Sequence, residues 1–532
     1  MSSNREVQLG HGWRTSWRRR DVRKVAGCVA LLAIVLGIGL AAMKETDARP
    51  PNVLFIMADE MRWDVLGYQG HPTVKTPHLD ALADSGVRFS AAYTVAPICR
   101  AARWSAFTGR YAHVHGVLDN LSPANDGEVL LTSLLKHHGY ATAISGKLHL
   151  LPANLDYGFD DFWSNRDEGP GIHDRYSTFM RQKYGSPNVH PMARGSSPYP
   201  NDVLGRDIGR FPYPKEDFMS YWITDRAVEY MESRVRVREP WFLFVSYKVP
   251  HSPYRAPEPY WSMYPPESFD VPEIPPEVAR RRAAAKDNWT KRHSVDNEGL
   301  LRALTAQYFG HVTNLDDNVG RLLDQLTELG FADDTIVIFT SDHGNMLGDR
   351  GLFFKGSLYD GATRIPQIIR VPANSPHAPG FRGGKLVDSL VENIDLVPTL
   401  LELCGLPIPE QGIQGRSLVS LVMGTNETWE ERVFSERLGQ MLLTPEYRLH
   451  LADLDDPRGQ RENTLYDRKL DPNEEHDVSG DPKYAAIQAE LVHRIKTWQA
   501  NRPPPVRIPG METPTHPPQP QLPTLNSNRP RF

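Results

Sequence analysis

Four short, mostly apolar runs, separated by longer stretches, constrain the fold of this chain more than any other feature of its sequence. They are residues 52–58 (NVLFIMA), 142–145 (TAIS), 241–247 (WFLFVSY) and 335–340 (TIVIFT). Such runs predict strands that are buried on both faces, as in parallel sheets covered by helices. The stretches between them, such as residues 299–329, have the spacing of amphipathic helices. The sequence therefore predicts an α/β fold in which helices sandwich a large mixed, mostly parallel sheet.

Composition divides the chain into four parts. Residues 1–48 combine a basic block, RRRDVRK, with an apolar run of about the 20 residues that span a membrane, which predicts a signal peptide or an uncleaved membrane anchor. Both interpretations place the rest of the protein in a periplasmic or other extracytoplasmic space. Residues 49–430 form the predicted α/β domain, residues 431–500 a smaller C-terminal α+β subdomain, and residues 501–532 a proline-rich disordered tail.

Two bulk properties exclude other classes of protein. The 532 residues carry a formal net charge of −5, whereas nucleic-acid-binding domains are strongly basic, so we predict no nucleic-acid partner. The chain has three cysteines, Cys28, Cys99 and Cys404, and the first lies in the N-terminal apolar run. Too few remain for a disulfide framework, so stability must come from the hydrophobic core.

Ionisable side chains follow all four strand candidates. The carboxyl ends of parallel strands meet at one edge of a sheet, where open α/β sheets bind ligands. Clustering like charges is costly unless opposite charges lie between them. Carboxylates and cations at one edge therefore favour a shared site over the alternative in which each side chain separately caps the helix after its strand. The side chains are Asp59, Glu60, Lys147, His149, His251, Asp342 and His343.

These side chains indicate two kinds of chemistry. Carboxylates with one adjacent histidine suit a divalent cation with hard oxygen ligands, namely Ca²⁺, Mg²⁺ or Mn²⁺. Lysine and histidine donors suit an anionic substrate beside that cation. The donors predicted for this role are Lys147, His149, His251 and Lys355, the last from the sequence GLFFKG.

Cys99 stands apart from these strands, at the start of a predicted helix. The residues after it favour a helix that ends at Gly109, so the thiol lies at a helix N-terminus, where the helix dipole favours an anion. Arg103 follows one turn later on the same side. This arrangement favours a nucleophile facing an anion over a buried structural cysteine.

The stretch from Cys99 to Arg103, CRAAR, followed by TGR at residues 108–110, resembles the signature of the sulfatase family, CxPxR, in its CxAxR variant. The companion motifs MADEMR, SGKLH, VPHSP, SDHG and FFKG occur in the order found in that family, and the resemblance spans about residues 51–500. It implies an alkaline-phosphatase-like fold and hydrolysis of sulfate esters of carbohydrates, aryl or alkyl groups.

The resemblance also implies roles for individual residues. A formylglycine-generating enzyme would convert Cys99 to formylglycine, whose hydrate is the nucleophile. Arg103 and Lys147 would orient it and the sulfate, His149 would assist release of sulfate, and His251 with Lys355 would bind sulfate and protonate the leaving oxygen. The implied ligands of one divalent cation, Ca²⁺ first and Mn²⁺ or Mg²⁺ next, are Asp59, Glu60, Cys99, Asp342 and His343.

Departures from the common family pattern keep two alternatives open. Glu60 replaces an aspartate, His343 replaces an asparagine, and Ala101 and Ala102 replace Pro-Ser. Relatives that cleave phosphonate monoesters and phosphodiesters carry a histidine at the position of His343, so such a hydrolase is one alternative. A catalytically inactive protein that binds anionic glycans is the other.

Substrate specificity is expected to lie in loops. Two long segments, residues 164–218 and 256–297, are the candidates. Within the first, we predict that His173, Arg175 and Arg206 contact the substrate.

Overall fold

The computed structural model describes residues 49–152, 155–164, 175–185, 208–284, 294–425, 428–453 and 463–511. The predicted signal or anchor segment, residues 1–48, lies outside them. The part of the chain from Pro51 onward forms a compact unit of its own, which is described below. None of the helices within the described ranges combines the length and the apolar character that crossing a membrane requires.

A mixed, mostly parallel sheet forms the centre of the protein, as predicted. Its strands, in chain order, are β1 (Asn52–Asp59), β2 (Val87–Tyr93), β3 (Ala141–Gly146), β4 (Asp161–Ser164), β5 (Trp241–Pro250), β6 (Thr335–Ser341), β7 (Arg364–Arg370), β8 (Lys385–Val387) and β9 (Val391–Glu392). The order across the sheet is β4-β3-β5-β1-β6-β7-β2-β8, with β9 beside β2. β7 is antiparallel to both of its neighbours, β6 and β2, whereas β3, β5, β1 and β6 are mutually parallel.

Helices cover both faces of this sheet. In the described residues they are α1 (Pro77–Ser85), α2 (Cys99–Thr108), α3 (Ala112–His115), α4 (Leu131–His137), α5 (Arg175–Tyr184), α6 (Met219–Arg234), α7 (Pro276–Ala284), α8 (Glu298–Glu328), α9 (Asp360–Thr363), α10 (Leu396–Leu403), α11 (Val419–Met423) and α12 (Ala485–Ala500). Along β1, Leu54 and Ile56 contribute to a core with α6 and α8, whereas Val53, Phe55 and Met57 contribute to a core with α2, α4 and α10. The consecutive apolar side chains of β1 are thus explained by burial on both faces.

A second, antiparallel sheet follows the main domain. It consists of β10 (Val433–Glu436), β11 (Gly439–Leu443), β12 (Tyr447–Ala452) and β13 (Thr464–Asp467), paired in that order. α12 packs on it through Leu491, Ile495 and Trp498, which share a core with Leu449 and Leu465 of the strands. This is the smaller α+β unit that the sequence predicts.

The start of the proline-rich tail differs from the expected disorder. Residues 501–511 pack against the main domain, and Val506 is only 1% exposed. The guanidinium of Arg110 donates hydrogen bonds to the carbonyl oxygens of Pro503 and Pro504, both at 2.8 Å. Proline lacks an N–H but keeps its carbonyl acceptor, so a buried arginine can hold such a segment in place. The rest of the tail, residues 512–532, lies outside the described residues.

Candidate active site

The parallel pairing of β1 and β6 brings two carboxylates together at the carboxyl edge of the sheet. Ala58 pairs with Ser341, so Asp59 and Asp342 follow at the same level. The backbone N–H of Glu60 donates to Asp342 Oδ1 at 3.0 Å, and so does that of His343 at 2.9 Å. Both carboxylates are completely buried. An anionic pair in this position requires cations around it.

Cys99 is the first residue of α2 and lies in the same place. Ile98 before it is extended, and Gly109 ends the helix with a φ of 68°, a conformation that glycine adopts without strain. The thiol sulfur lies 3.1 Å from His343 Nε2 and 3.5 Å from Asp59 Oδ1. Burial, together with the charge of Asp59, raises the pKa of this thiol to about 12. At neutral pH it is therefore uncharged and a poor nucleophile.

Four of the predicted ligands can hold one metal ion. Donor atoms of Asp59, Cys99, Asp342 and His343 all lie within 4.8 Å of one another. His343 Nδ1 lies 2.9 Å from the carbonyl oxygen of Gly344, which can only accept, so Nδ1 carries the proton and Nε2 turns a lone pair toward the other donors. Burial lowers the pKa of His343, which keeps the ring neutral as a ligand must be. The donor set fits a divalent cation.

Glu60, the fifth predicted ligand, does not join this group. Its backbone has a φ of 71°, and its carboxylate points to a different set of partners. Oε1 accepts a hydrogen bond from Asn345 Nδ2 at 3.0 Å, while Oε2 lies 3.1 Å from Lys355 Nζ and 3.4 Å from His251 Nε2. The structure therefore brings Glu60 to Lys355 and His251 on the other side of the site.

Arg103 connects the helix of Cys99 to three strands. Its Nε donates to Asp342 Oδ2 at 2.9 Å, and one terminal nitrogen donates to both the Lys147 carbonyl oxygen and Ser246 Oγ at 2.8 Å. The other terminal nitrogen, Nη2, is buried and has no hydrogen-bond partner among the residues that the structure describes. A buried donor without a partner is costly, so this atom marks a place for an oxygen-rich ligand.

Lys147 and His149 follow β3 at the same edge. Lys147 Nζ lies 2.5 Å from Asp59 Oδ2. Although burial acts against ionisation, Lys147, His251 and Arg103 hold the pKa of Asp59 well below its ordinary value. His149 is buried with a φ of 60°, a left-handed conformation that costs roughly 1 kcal/mol or more outside glycine and often marks functional sites.

His251 and Lys355 form the more open side of the site. Their side chains are 21% and 15% exposed, whereas those of Asp59, Arg103 and Asp342 are not exposed at all. His251 Nδ1 donates to the Ser252 carbonyl oxygen at 2.6 Å, which fixes the ring and leaves Nε2 facing the site. Burial and the charge of Lys355 hold the pKa of His251 well below its ordinary value.

Replacing Gly146 by alanine should destabilise the fold strongly, because this glycine joins β3 to Lys147. Gly146 has a φ of 109°, and a Cβ there would lie 2.0 Å from the Ser246 carbonyl oxygen. That oxygen accepts a hydrogen bond from Lys147 N and cannot withdraw without disturbing the sheet edge. We expect urea unfolding to show a loss of about 3 kcal/mol or more in the free energy of unfolding.

Gly139→Ala is the matched control for this substitution. Gly139 also has a positive φ, 83°, but no atom lies within 4 Å of its Cβ position, so only the backbone cost of about 1–2 kcal/mol applies. Equal losses in the two variants would contradict the steric explanation.

Other predicted substrate contacts are placed only in part. Arg175 is exposed and begins α5, whereas His173 and Arg206 lie outside the described residues, as do parts of both predicted specificity loops. Conversely, the structure adds Ser246 and Asn345 to the site, which the sequence motifs do not single out. Ser246 was visible as a polar residue within the apolar run of β5, and Asn345 as an amide two residues after His343.

The site combines a buried thiol with carboxylates that fit a metal, and basic side chains surround them at the edge of a mostly parallel sheet. This combination is typical of a hydrolase of anionic esters. The sulfatase family model matches residues 51–406, and the chain belongs to the sulfatase family, as its motifs predict. It is a sulfuric ester hydrolase.

Similar proteins support this assignment. The arylsulfatase of Clostridium perfringens is 30% identical over 415 residues, 73% of this chain and 81% of that protein. The choline-sulfatase of Rhizobium meliloti is 28% identical over 83% of this chain and 85% of its own length. Among solved structures, the phosphonate monoester hydrolase of Agrobacterium radiobacter superposes with a TM-score of 0.71 and 25% identity, over 85% of this chain and 95% of that one.

Proposed function

We propose that this protein hydrolyses sulfate esters with a formylglycine made from Cys99, in the presence of one divalent cation. The observation that carries the proposal is the position of the thiol sulfur, 3.1 Å from His343 Nε2 and 3.5 Å from Asp59 Oδ1, at the N-terminus of α2. Because the raised pKa leaves cysteine itself a poor nucleophile, conversion to a hydrated aldehyde supplies the missing reactivity. A formylglycine-generating enzyme is the partner that this maturation needs.

The residues that would hold the cation are Asp59, Asp342 and His343, together with the oxidised Cys99 side chain. Two carboxylates and one imidazole suit Ca²⁺ first and Mn²⁺ or Mg²⁺ next. When bound, such a cation lowers the pKa of a hydroxyl and stabilises the negative charge of the transition state. Metal analysis of purified protein distinguishes the three ions.

The remaining residues of the site bind and orient the reacting groups. Arg103, through its unpaired Nη2, and Lys147, through its ammonium group, would orient the nucleophile and the sulfate. His149 would accept the proton released when sulfate is expelled. His251 and Lys355, on the more open side, would bind the sulfate, whose negative charge would raise the pKa of His251, and would supply a proton to the leaving oxygen.

A phosphonate monoester or phosphodiester hydrolase is the second candidate function. Two observations favour it: His343 lies within the metal-ligand group, and the phosphonate monoester hydrolase of Agrobacterium radiobacter shares the fold over most of both chains. Phosphonates and sulfates present similar tetrahedral oxyanions, so the same cations bind either.

The test measures turnover of 4-nitrophenyl sulfate and 4-nitrophenyl phenylphosphonate by protein co-expressed with a formylglycine-generating enzyme. We expect kcat/KM for the sulfate to exceed that for the phosphonate by about 100-fold or more, which corresponds to about 2.7 kcal/mol of differential transition-state binding. The reverse order would establish the second candidate. Binding of sulfated glycans without turnover of either ester would instead indicate an inactive binding protein.

The natural substrate belongs to the sulfated carbohydrates, aryl sulfates or alkyl sulfates, and a panel of such esters resolves the class.

We also propose that the protein acts outside the cytoplasm, because of the basic and apolar pattern of residues 1–48. Cell fractionation with an N-terminal sequence of the mature protein tests this and shows whether the segment is cleaved or retained as an anchor.

A further inference from the structure

Glu60 occupies an unusual place in the site. It follows the metal-ligand candidate Asp59 directly, is completely buried, and has a φ of 71°. A residue other than glycine pays for this left-handed conformation, and such strain persists only where surrounding contacts determine it. The contacts of Glu60 therefore indicate why its backbone is held in this left-handed conformation.

The backbone of Glu60 is fixed on both sides. Its N–H donates to Asp342 Oδ1 at 3.0 Å, and its carbonyl oxygen accepts from the Tyr308 hydroxyl at 2.7 Å. The same hydroxyl accepts from the N–H of Arg62 at 2.9 Å. These bonds hold the peptide groups around Glu60 in place, so its side chain leaves the backbone in a direction different from that of Asp59.

The carboxylate of Glu60 has two hydrogen-bond donors and one neighbouring imidazole. Asn345 Nδ2 donates to Oε1 at 3.0 Å, Lys355 Nζ donates to Oε2 at 3.1 Å, and His251 Nε2 lies 3.4 Å from that same oxygen. Asn345 is in turn fixed, because its Oδ1 accepts from the N–H of Phe354 at 3.0 Å, next to Lys355 in the chain. One oxygen of Glu60 thus lies between two side chains that would otherwise repel each other when charged.

We propose that Glu60 is a positioning residue that holds Lys355 and His251 toward the leaving-group oxygen, and that it is not a ligand of the metal. This inference rests on the proposed function, which gives Lys355 and His251 their role at that oxygen. It follows from geometry: Asp59, Cys99, Asp342 and His343 share one group of donor atoms, and Glu60 lies outside it. The site then has a metal side and a leaving-group side, with Asp59 and Glu60 directed to opposite sides.

The substitution Glu60→Gln tests this role. An amide cannot satisfy these partners, since in either orientation its NH₂ faces a donor, Asn345 in one case and Lys355 in the other. If Glu60 positions the proton donors, the loss should depend on how much the leaving group needs a proton. We expect kcat/KM to fall about 100-fold for phenyl sulfate and less than about 5-fold for 4-nitrophenyl sulfate, whose leaving group departs readily unprotonated.

Metal content provides a readout independent of activity. We expect Glu60→Gln to retain the metal stoichiometry and affinity of the wild type in metal analysis and calorimetric titration. Asp59→Asn is the matched control, one residue earlier in the chain and within the donor group, and should lose at least about 10-fold in metal affinity. Mass spectrometry of the Cys99 peptide in every variant confirms equal conversion to formylglycine.

Two results would overturn the proposal. The first is a loss of metal from Glu60→Gln comparable to that from Asp59→Asn, with activity restored by excess metal. The second is an equal loss of kcat/KM on both esters. If Glu60→Gln does not fold, Glu60→Asp is tested in its place, because the shorter side chain keeps the charge but withdraws from Lys355 and His251. The positioning role would then be refuted if Glu60→Asp and the wild type had equal kcat/KM on both esters. A wild-type enzyme inactive on every sulfate would refute the proposed function, while the metal titrations would still decide whether Glu60 is a ligand.

Discussion

Replacing Cys99 by alanine should abolish hydrolysis of sulfate esters, with kcat reduced by about 10⁵-fold or more. The substitution removes the side chain proposed to become the nucleophile and leaves Arg103, Lys147 and the other proposed metal ligands in place. Their residual stabilisation of the transition state is the source of any remaining rate. Steady-state kinetics with 4-nitrophenyl sulfate measures the loss, with the formylglycine content of the wild type determined on the same sample.

Cys404→Ala is the matched control, because Cys404 is the other buried cysteine in the described residues. It lies at the end of α10 in the core on the α2 face of the sheet, away from the ligands of the site. We expect its kcat to stay within about twofold of wild type and its free energy of unfolding to fall by about 1 kcal/mol. Substantial activity in Cys99→Ala, with the wild-type Cys99 peptide found only as the thiol, would refute the formylglycine mechanism.

The strands and the residues directly after them were predictable because burial on both faces leaves a clear pattern in the sequence. Asp59 ends such a strand, Lys147 and Asp342 each follow one, and parallel pairing places the ends of neighbouring strands at one level. The position of Cys99 was predictable for a different reason, since the residues directly after it suit a helix that Gly109 ends. In these cases the local sequence pattern and the geometry of the sheet predict the same position for the side chain.

The direction of the Glu60 side chain could not be predicted in this way. Spacing along the chain places it next to Asp59, and a run of acidic residues favours a shared metal. What separates the two carboxylates is a single positive φ, together with hydrogen bonds to Tyr308 and Asn345 that lie more than 240 residues away. Such contacts follow from the packing of α8 and of the loop after β6, which no local pattern specifies.

Replacing Arg103 by methionine should have the second-largest effect on catalysis. Methionine approximates the volume of the side chain but removes its donors to Asp342, to the Lys147 carbonyl oxygen and to Ser246, as well as the unpaired Nη2. Loss of one preorganised donor costs about 10²–10³ in rate, and here orientation of Asp342 is lost as well. We expect kcat/KM on 4-nitrophenyl sulfate to fall by about 10³-fold or more.

Stability should fall too, because Asp342 would be left buried without its partner. Both side chains of the Arg103–Asp342 pair are completely buried, and breaking such a pair costs about 3 kcal/mol or more. The loss should be largest in metal-depleted protein, where no cation compensates the carboxylate. Thermal and urea unfolding with and without added metal measure this difference.

Arg110→Met is the control that separates stability from catalysis. Arg110 is also buried near the same helix, but its partners are Glu128, at 3.1 Å, the carbonyl oxygen of Gly412, and those of Pro503 and Pro504 in the C-terminal segment. We expect it to lose a similar free energy of unfolding while kcat of the folded enzyme stays within about threefold of wild type. If both variants lost activity in proportion to stability, or if Arg103→Met kept its activity, Arg103 would be a structural residue. The two substitutions remove the same kind of buried side chain. If only Arg103→Met loses activity, at equal formylglycine content, the donors of Arg103 act on the reacting groups.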